Sequence, residues 1–204
     1  MRKRKTITII IIAAIIVLSL ITGILSLQGC SCREIKYDNE NHVFWIRGNP
    51  YIPDSRFVAI QTKSIPIGRL DGFGYILYPV ANDPNMLFIY PQDVLTVKRT
   101  LLARADVDLP DPAKDSVSWI EINGNRIDDV SKETFLAFFR DGSKEKYQGY
   151  RYNYNQLYSV NIYLSDYPQV YYHTCIKQFD DEYCLLIDDE YYIMNDNLIS
   201  VCQD

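Results

Sequence analysis

Residues 6–27 form an unbroken apolar run, TITIIIIAAIIVLSLITGILSL, preceded by MRKRK and followed by QGCSC. As a helix the run is roughly 33 Å long at about 1.5 Å per residue, close to the hydrocarbon thickness of a bilayer. A core helix of a water-soluble protein keeps a polar stripe, and here only Thr, Ser and one Gly interrupt the apolar residues. Arg2, Lys3, Arg4 and Lys5 favour the cytoplasmic side, so the rest of the chain is expected on the extracytoplasmic side of a cell membrane. Residues 1–29 read as a signal or anchor segment and residues 30–41 as a polar spacer.

Two fates fit this segment. A secretory signal has an apolar stretch of about 7–15 residues, and this one is longer, which suits an uncleaved single-pass anchor. Against that, Leu27-Gln28-Gly29-Cys30 resembles the lipobox of bacterial lipoproteins, with Gln28 departing from the small or aliphatic residue of that pattern. The resemblance covers the first thirty residues only. It implies cleavage before Cys30, acylation of that cysteine and a domain held at the membrane by lipid.

About 175 residues then remain, enough for one medium domain or two small ones. The four basic leader residues go with the leader, so the net charge of −5 becomes −9. An acidic surface without basic patches excludes nucleic acid as a partner and argues against adhesion to anionic lipid.

Hydropathy and punctuation predict an α+β fold: the membrane-tether helix, a small all-β lobe, then an antiparallel β-meander carrying one packed helix. In residues 42–105 the runs HVFWIR, RFVAIQTK, FGYILYPV and MLFIY alternate with turn-forming segments, and six prolines disfavour long helices. Residues 99–104 read as a further strand. Residues 106–116 (DVDLPDPAKDS) read as a solvated linker, and residues 117–204 as the α+β lobe. Asp106, Asp108 and Asp111 lack the glycine and closing glutamate of a calcium loop.

Within 117–204, Asn123-Gly124 predicts a two-residue hairpin, because both residues tolerate positive φ. A helix is expected over about 132–141, with Ser131 as N-cap, Val130 and Phe135 as a hydrophobic staple, and Arg140 in the last turn. Phe135, Phe138 and Phe139 share its core face. From Tyr147 onward the period is two: Tyr158, Val160, Ile162 and Leu164 are expected inward, Ser159, Asn161 and Ser165 outward. DDEY at 180–183 and 188–191 opens successive strands, and a short helix capped by Asp196 closes the chain.

The functional inventory is short. Twelve of the seventeen tyrosines lie between 147 and 192, which makes an aromatic sheet face the one compositional candidate for a partner surface. Tyr150, Tyr152 and Tyr154 share one side of a predicted strand and are the residues singled out. His42 and His173 each read as a satisfied strand histidine. Neither a zinc or redox CxxC nor a GxSxG, HExxH or phosphate-loop motif occurs, so no cofactor, metal or catalytic residue is assigned. If Cys30 is acylated, Cys32, Cys175, Cys184 and Cys202 remain, with Cys184 expected opposite Lys177 and Cys175 diagonal to it. The expected function is that of a non-catalytic, membrane-tethered lipoprotein binding a protein or glycan partner. The alternatives are a carboxylate-dependent hydrolase of envelope or imported glycans and a single-pass anchored ectodomain of structural role.

Overall fold

The computed structural model describes residues 35–70, 74–92, 100–149 and 154–203. Cys30 and the apolar leader, like Tyr150 and Tyr152, lie outside these residues. Among the described residues the architecture is mostly β, two antiparallel sheets with two short helices, where the sequence suggests an α+β class. Among the described residues no helix is long and apolar enough to cross a membrane.

The first half alternates tightly enough to roll up. Strands β1 (Ile35–Asp38), β2 (Val43–Ile46), β3 (Asn49–Asp54), β5 (Gly68–Leu70), β6 (Tyr75–Pro79), β7 (Phe88–Gln92) and β8 (Leu101–Arg104) form one antiparallel sheet. Its order is β1-β2-β3-β8-β7-β6-β5, and β5 returns against β1, so the sheet is nearly a closed barrel. Gly68 lies at that seam, where an added Cβ would meet the δ-methyl of Ile35 and oblige that methyl to turn aside. Phe44, Ile46, Tyr51, Leu77, Ile89 and Leu102 fill the interior. Ile35 and Tyr37, in the stretch read as spacer, pack against them and make β1 part of the fold. His42 sits at φ 55° in the turn before β2 rather than in a strand, 2.9 Å from the Tyr37 hydroxyl through Nδ1.

The second sheet follows β9 (Val117–Ile122), β10 (Asn125–Arg126), β11 (Tyr154–Leu164), β12 (Val170–Phe179), β13 (Glu182–Ile187) and β14 (Glu190–Ile193) in the order β10-β9-β11-β12-β13-β14. Asn123 and Gly124 turn β9 into β10 at φ 51° and 83°, as the hairpin signal predicts. Lys177 faces Cys184 across β12 and β13, and Cys175, Cys184 and Cys202 are free thiols. Burial pushes the Cys184 and Cys202 thiols up to about 11, so neither is a ready nucleophile.

A three-residue strand, β4 (Phe57–Ala59), leaves the barrel and pairs antiparallel with Val170–Tyr172 of β12. One core results. Val80, Phe88, Leu101 and Ala103 from the barrel wall join Ile120, Val160, Ile162, Ile176 and Leu185 from the second sheet. Phe57 is fully buried between them, 4.9 Å from Phe88 and edge-on to Tyr172 at 5.6 Å, and Tyr172 meets Phe139 edge-on at 5.8 Å.

Phe139 belongs to α1 (Asp129–Arg140), whose buried residues are Phe135, Leu136, Phe138 and Phe139, the face its spacing predicts. Its start differs from the expectation. Asp128, not Ser131, is the N-cap: Oδ1 accepts from the Val130 and Ser131 amides at 2.7 and 3.0 Å, and the Ser131 hydroxyl donates to Oδ2 at 2.8 Å. A carboxylate accepts more strongly than a hydroxyl and complements the helix dipole, so the helix begins earlier. Val130 then falls inside it, 79% exposed, and staples nothing. A second helix, α2 (Asp196–Gln203), packs on α1 through the buried Leu198. Its cap is Asn195 rather than Asp196, with Oδ1 accepting from Leu198 N at 2.9 Å.

Candidate functional site

The inward residues of the second sheet dictate what stands on its other side. On β9, Ile120 and Ile122 are buried, which leaves Trp119 and Glu121 on the face away from the core. On β11, Val160 and Ile162 point in and Ser159, Asn161 and Tyr163 out. On β12, Tyr172 and Thr174 point in, Tyr171 and His173 out. Register then makes rows. Tyr163 lies between Trp119 and Tyr171, and Asn161 between Glu121 and His173. Val58 on β4 continues the first row beyond Tyr171.

The first row is a stack of rings. Trp119 and Tyr163 lie with centroids 4.4 Å apart and planes 18° apart, and Tyr163 meets Tyr171 at 5.2 Å and 38°. Arg126, on β10 and so on the other side of Trp119, places its guanidinium 5.6 Å from the indole centroid. Both faces of Trp119 are therefore occupied, one by a cation and one by Tyr163. Glu121 fixes the stack from the second row, accepting from the Tyr163 hydroxyl at 2.9 Å and from the indole N–H at 3.4 Å. Burial, and then the hydrogen bond to Glu121, push the Tyr163 phenol up to about 12, which keeps it a donor. The result is a half-buried row held by ring contacts and by Glu121.

Beyond Tyr171 the face dips into an open notch of about 410 Å³, bounded by Ser55, Val58, Thr100, Ser159, Asn161, Tyr171 and His173. Asn161 Oδ1 and His173 Nδ1 are 2.9 Å apart. An amide oxygen can only accept, so this pairing puts the imidazole proton on Nδ1 and leaves Nε2 an acceptor and Asn161 Nδ2 a donor. Half-burial holds the His173 pKa below its usual 6.5. Stability is then unaffected by His173 above that value. It declines as pH falls through 6.5 and on through the lower folded value, because the unfolded chain protonates first. His173→Gln is expected to flatten this acid-side slope in urea midpoints measured from about pH 7 to 5. An unchanged slope would contradict the assignment.

Of the three tyrosines singled out from the sequence, the described one, Tyr154, sits elsewhere on the same sheet. It is 47% exposed, with Lys177 Nζ 3.6 Å from its ring centroid and Phe179 at 5.9 Å. Tyr147 and Tyr191 pack on Phe179 at 4.8 Å each, so this second aromatic group is a small core with a lysine lid. The chain matches no family model, no curated protein and no solved structure. The site is therefore argued from its own geometry. Trp119, Tyr163 and Tyr171 carry a sequence signal only as members of alternating strands; β11 and β12 are joined by a short turn, but nothing local brings β9 into the same row.

Several of the described carboxylates are tied into ion pairs. A second cleft of about 470 Å³ includes Asp108, Asp111, Asp115 and Asp188. Asp188 binds Arg56 at 2.7 Å and Asp111 binds Lys114 at 3.1 Å, while Asp106 nearby binds Arg104 at 2.6 Å. Among the described residues no group of three His, Cys, Asp or Glu could hold a metal ion. Hydrogen bonds pull Asp38, Asp106, Asp128 and Asp141 below the usual carboxylate range, the opposite of what a general acid needs.

Proposed function

We propose that the chain is a non-catalytic recognition protein, tethered outside the cell membrane through its first thirty residues, that binds an envelope partner on the solvent side of its second sheet. The observation that carries the reading is the aromatic row Trp119–Tyr163–Tyr171, with the Arg126 guanidinium over Trp119. A solvated sheet face ordinarily holds small or charged residues in exchange with water. Here Trp119 and Tyr163 are pre-stacked and held by Glu121, with Tyr171 tilted against Tyr163, so little side-chain entropy remains to be lost on binding. The hydrolase alternative is supported least, since the cleft carboxylates Asp111 and Asp188 already have cationic partners. The anchored structural ectodomain differs from the favoured reading in keeping its leader and in leaving this face unused.

Two measurements test the proposal. Intact mass of the full chain from membranes is expected to show a cleaved, acylated species that Cys30→Ala abolishes; an unprocessed mass in both would leave the single-pass anchor. Full chain used as bait on envelope extracts is expected to retain a component that Trp119→Ala loses and Glu133→Ala, on the exposed side of α1, keeps. Equal retention by both variants, with folding verified, would remove the face from consideration.

A further inference from the structure

We propose that the end of the barrel at which β1 enters lies against the lipid surface, with Trp45 and Ile65 seated at the headgroup boundary. The inference rests on the reading of the first thirty residues as a membrane tether, and it adds which end of the fold that tether turns to the bilayer. Strand order sets the geometry. Six antiparallel steps lead from β1 round to β5, so the two strands point the same way, and they meet at Ile35 and Gly68. The end that receives the tether therefore also receives the segment ahead of β5. Ile65 lies in that segment, three residues before Gly68, and is 77% exposed.

The other neighbour of β1 is β2. Phe44 and Ile46 fill the barrel interior, so Trp45 between them turns outward, 42% exposed and opposite Lys36 of β1. Two large apolar side chains thus flank the tether-bearing strand, one on each side. Chain length keeps them near the bilayer. Cys30 precedes Ile35 by five residues, at most roughly 18 Å of extended chain. Counted from Leu27, as for a single-pass anchor, the reach is at most roughly 29 Å. An indole combines an apolar ring with a donor and favours the headgroup level, and a branched aliphatic chain gains by leaving water there. The chain is acidic, with a net charge of −5, so attraction to anionic lipid does not supply the contact. Two side chains are also too little to hold a domain on lipid unaided. The tether supplies the local concentration, and Trp45 and Ile65 supply the orientation.

The test uses the full chain purified from membranes and reconstituted in phosphatidylcholine vesicles, with and without bromine on the upper acyl carbons. The chain has two tryptophans, so Trp119→Phe leaves Trp45 as the single indole emitter and Trp45→Phe leaves Trp119. Trp45 emission is expected to be quenched by the brominated lipid and Trp119 emission to be unchanged. Ile65→Ser is expected to reduce the quenching of Trp45, whereas Val130→Ser, which removes a similarly exposed apolar residue from α1, leaves it as it was. Should Trp119→Phe fail to fold, the native chain gives the same comparison, with Ile65→Ser lowering its total quenching. Unquenched Trp45, equal quenching of the two tryptophans, or quenching unmoved by Ile65→Ser would each overturn the inference. Flotation separates the two claims. If the vesicles do not carry the chain, the tether reading falls and the inference with it; if they carry it and Trp45 stays unquenched, the tether stands and the seated end falls.

Discussion

Phe57→Ala is expected to lower the stability of the whole chain by about 3–5 kcal/mol, the range for truncating a fully buried aromatic. Phe57 is the ring through which the two sheets share a core. It is fully buried on a three-residue strand, touching Phe88 of the barrel and Tyr172 of β12. A cavity there loosens both sides at once. The chain supplies its own reporters, since Trp45 lies on β2 and Trp119 on β9. In urea, single-tryptophan variants of the otherwise native chain are expected to report one coincident transition, which Phe57→Ala moves to lower denaturant for both. Two separate transitions in the native background, with Phe57→Ala shifting only one, would mean that the barrel and the second sheet fold independently.

Arg56→Met is expected to cost about 2–3 kcal/mol, somewhat less than breaking a fully buried pair because the guanidinium is partly solvated. Arg56 precedes β4 and clamps its entry. Its Nε and Nη2 donate to Asp54, whose side chain is 6% exposed, and Nη1 donates to Asp188 in the turn between β13 and β14. Removing the cation leaves the Asp54 carboxylate buried with only the Arg56 backbone amide, at 2.9 Å, as an answering donor among these contacts. Asp54→Asn, which removes the charge and keeps an acceptor, is expected to cost less. The comparison is made by urea denaturation at low and high salt. The part due to Asp188, which is 63% exposed, shrinks with salt and the Asp54 part persists. A loss under about 0.5 kcal/mol for Arg56→Met would show that water serves Asp54 as well as Arg56 does.

Local patterns carried part of this fold. The Phe135, Phe138 and Phe139 face, the Asn123-Gly124 hairpin, the inward set on β11 and the facing of Lys177 and Cys184 all follow from periodicity within one element or across one tight turn. Contacts between distant segments did not. Nothing near Phe57 announces that residues 57–59 pair with 170–172, and the polar look of SCREIKYDNEN conceals a strand that needs only Ile35 and Tyr37 to pack inward. The candidate site suffers from the same gap. Tyrosine density points toward the second sheet, and alternation puts Ser159, Asn161 and Ser165 on the face away from the core. That Trp119 and Glu121 share rows with Tyr163 and Asn161 is a matter of register between strands about forty residues apart, while Tyr171 and His173 follow on the adjoining hairpin strand.

The most direct measurement puts a photo-reactive phenylalanine analogue at position 171 of the full chain in intact cells, and separately at position 133 on α1. Illumination is expected to give a discrete envelope adduct at 171, diminished by Trp119→Ala in the same chain, and none at 133. Equal labelling at the two positions, or an adduct at 133 with none at 171, would contradict a binding face on the outer side of the second sheet.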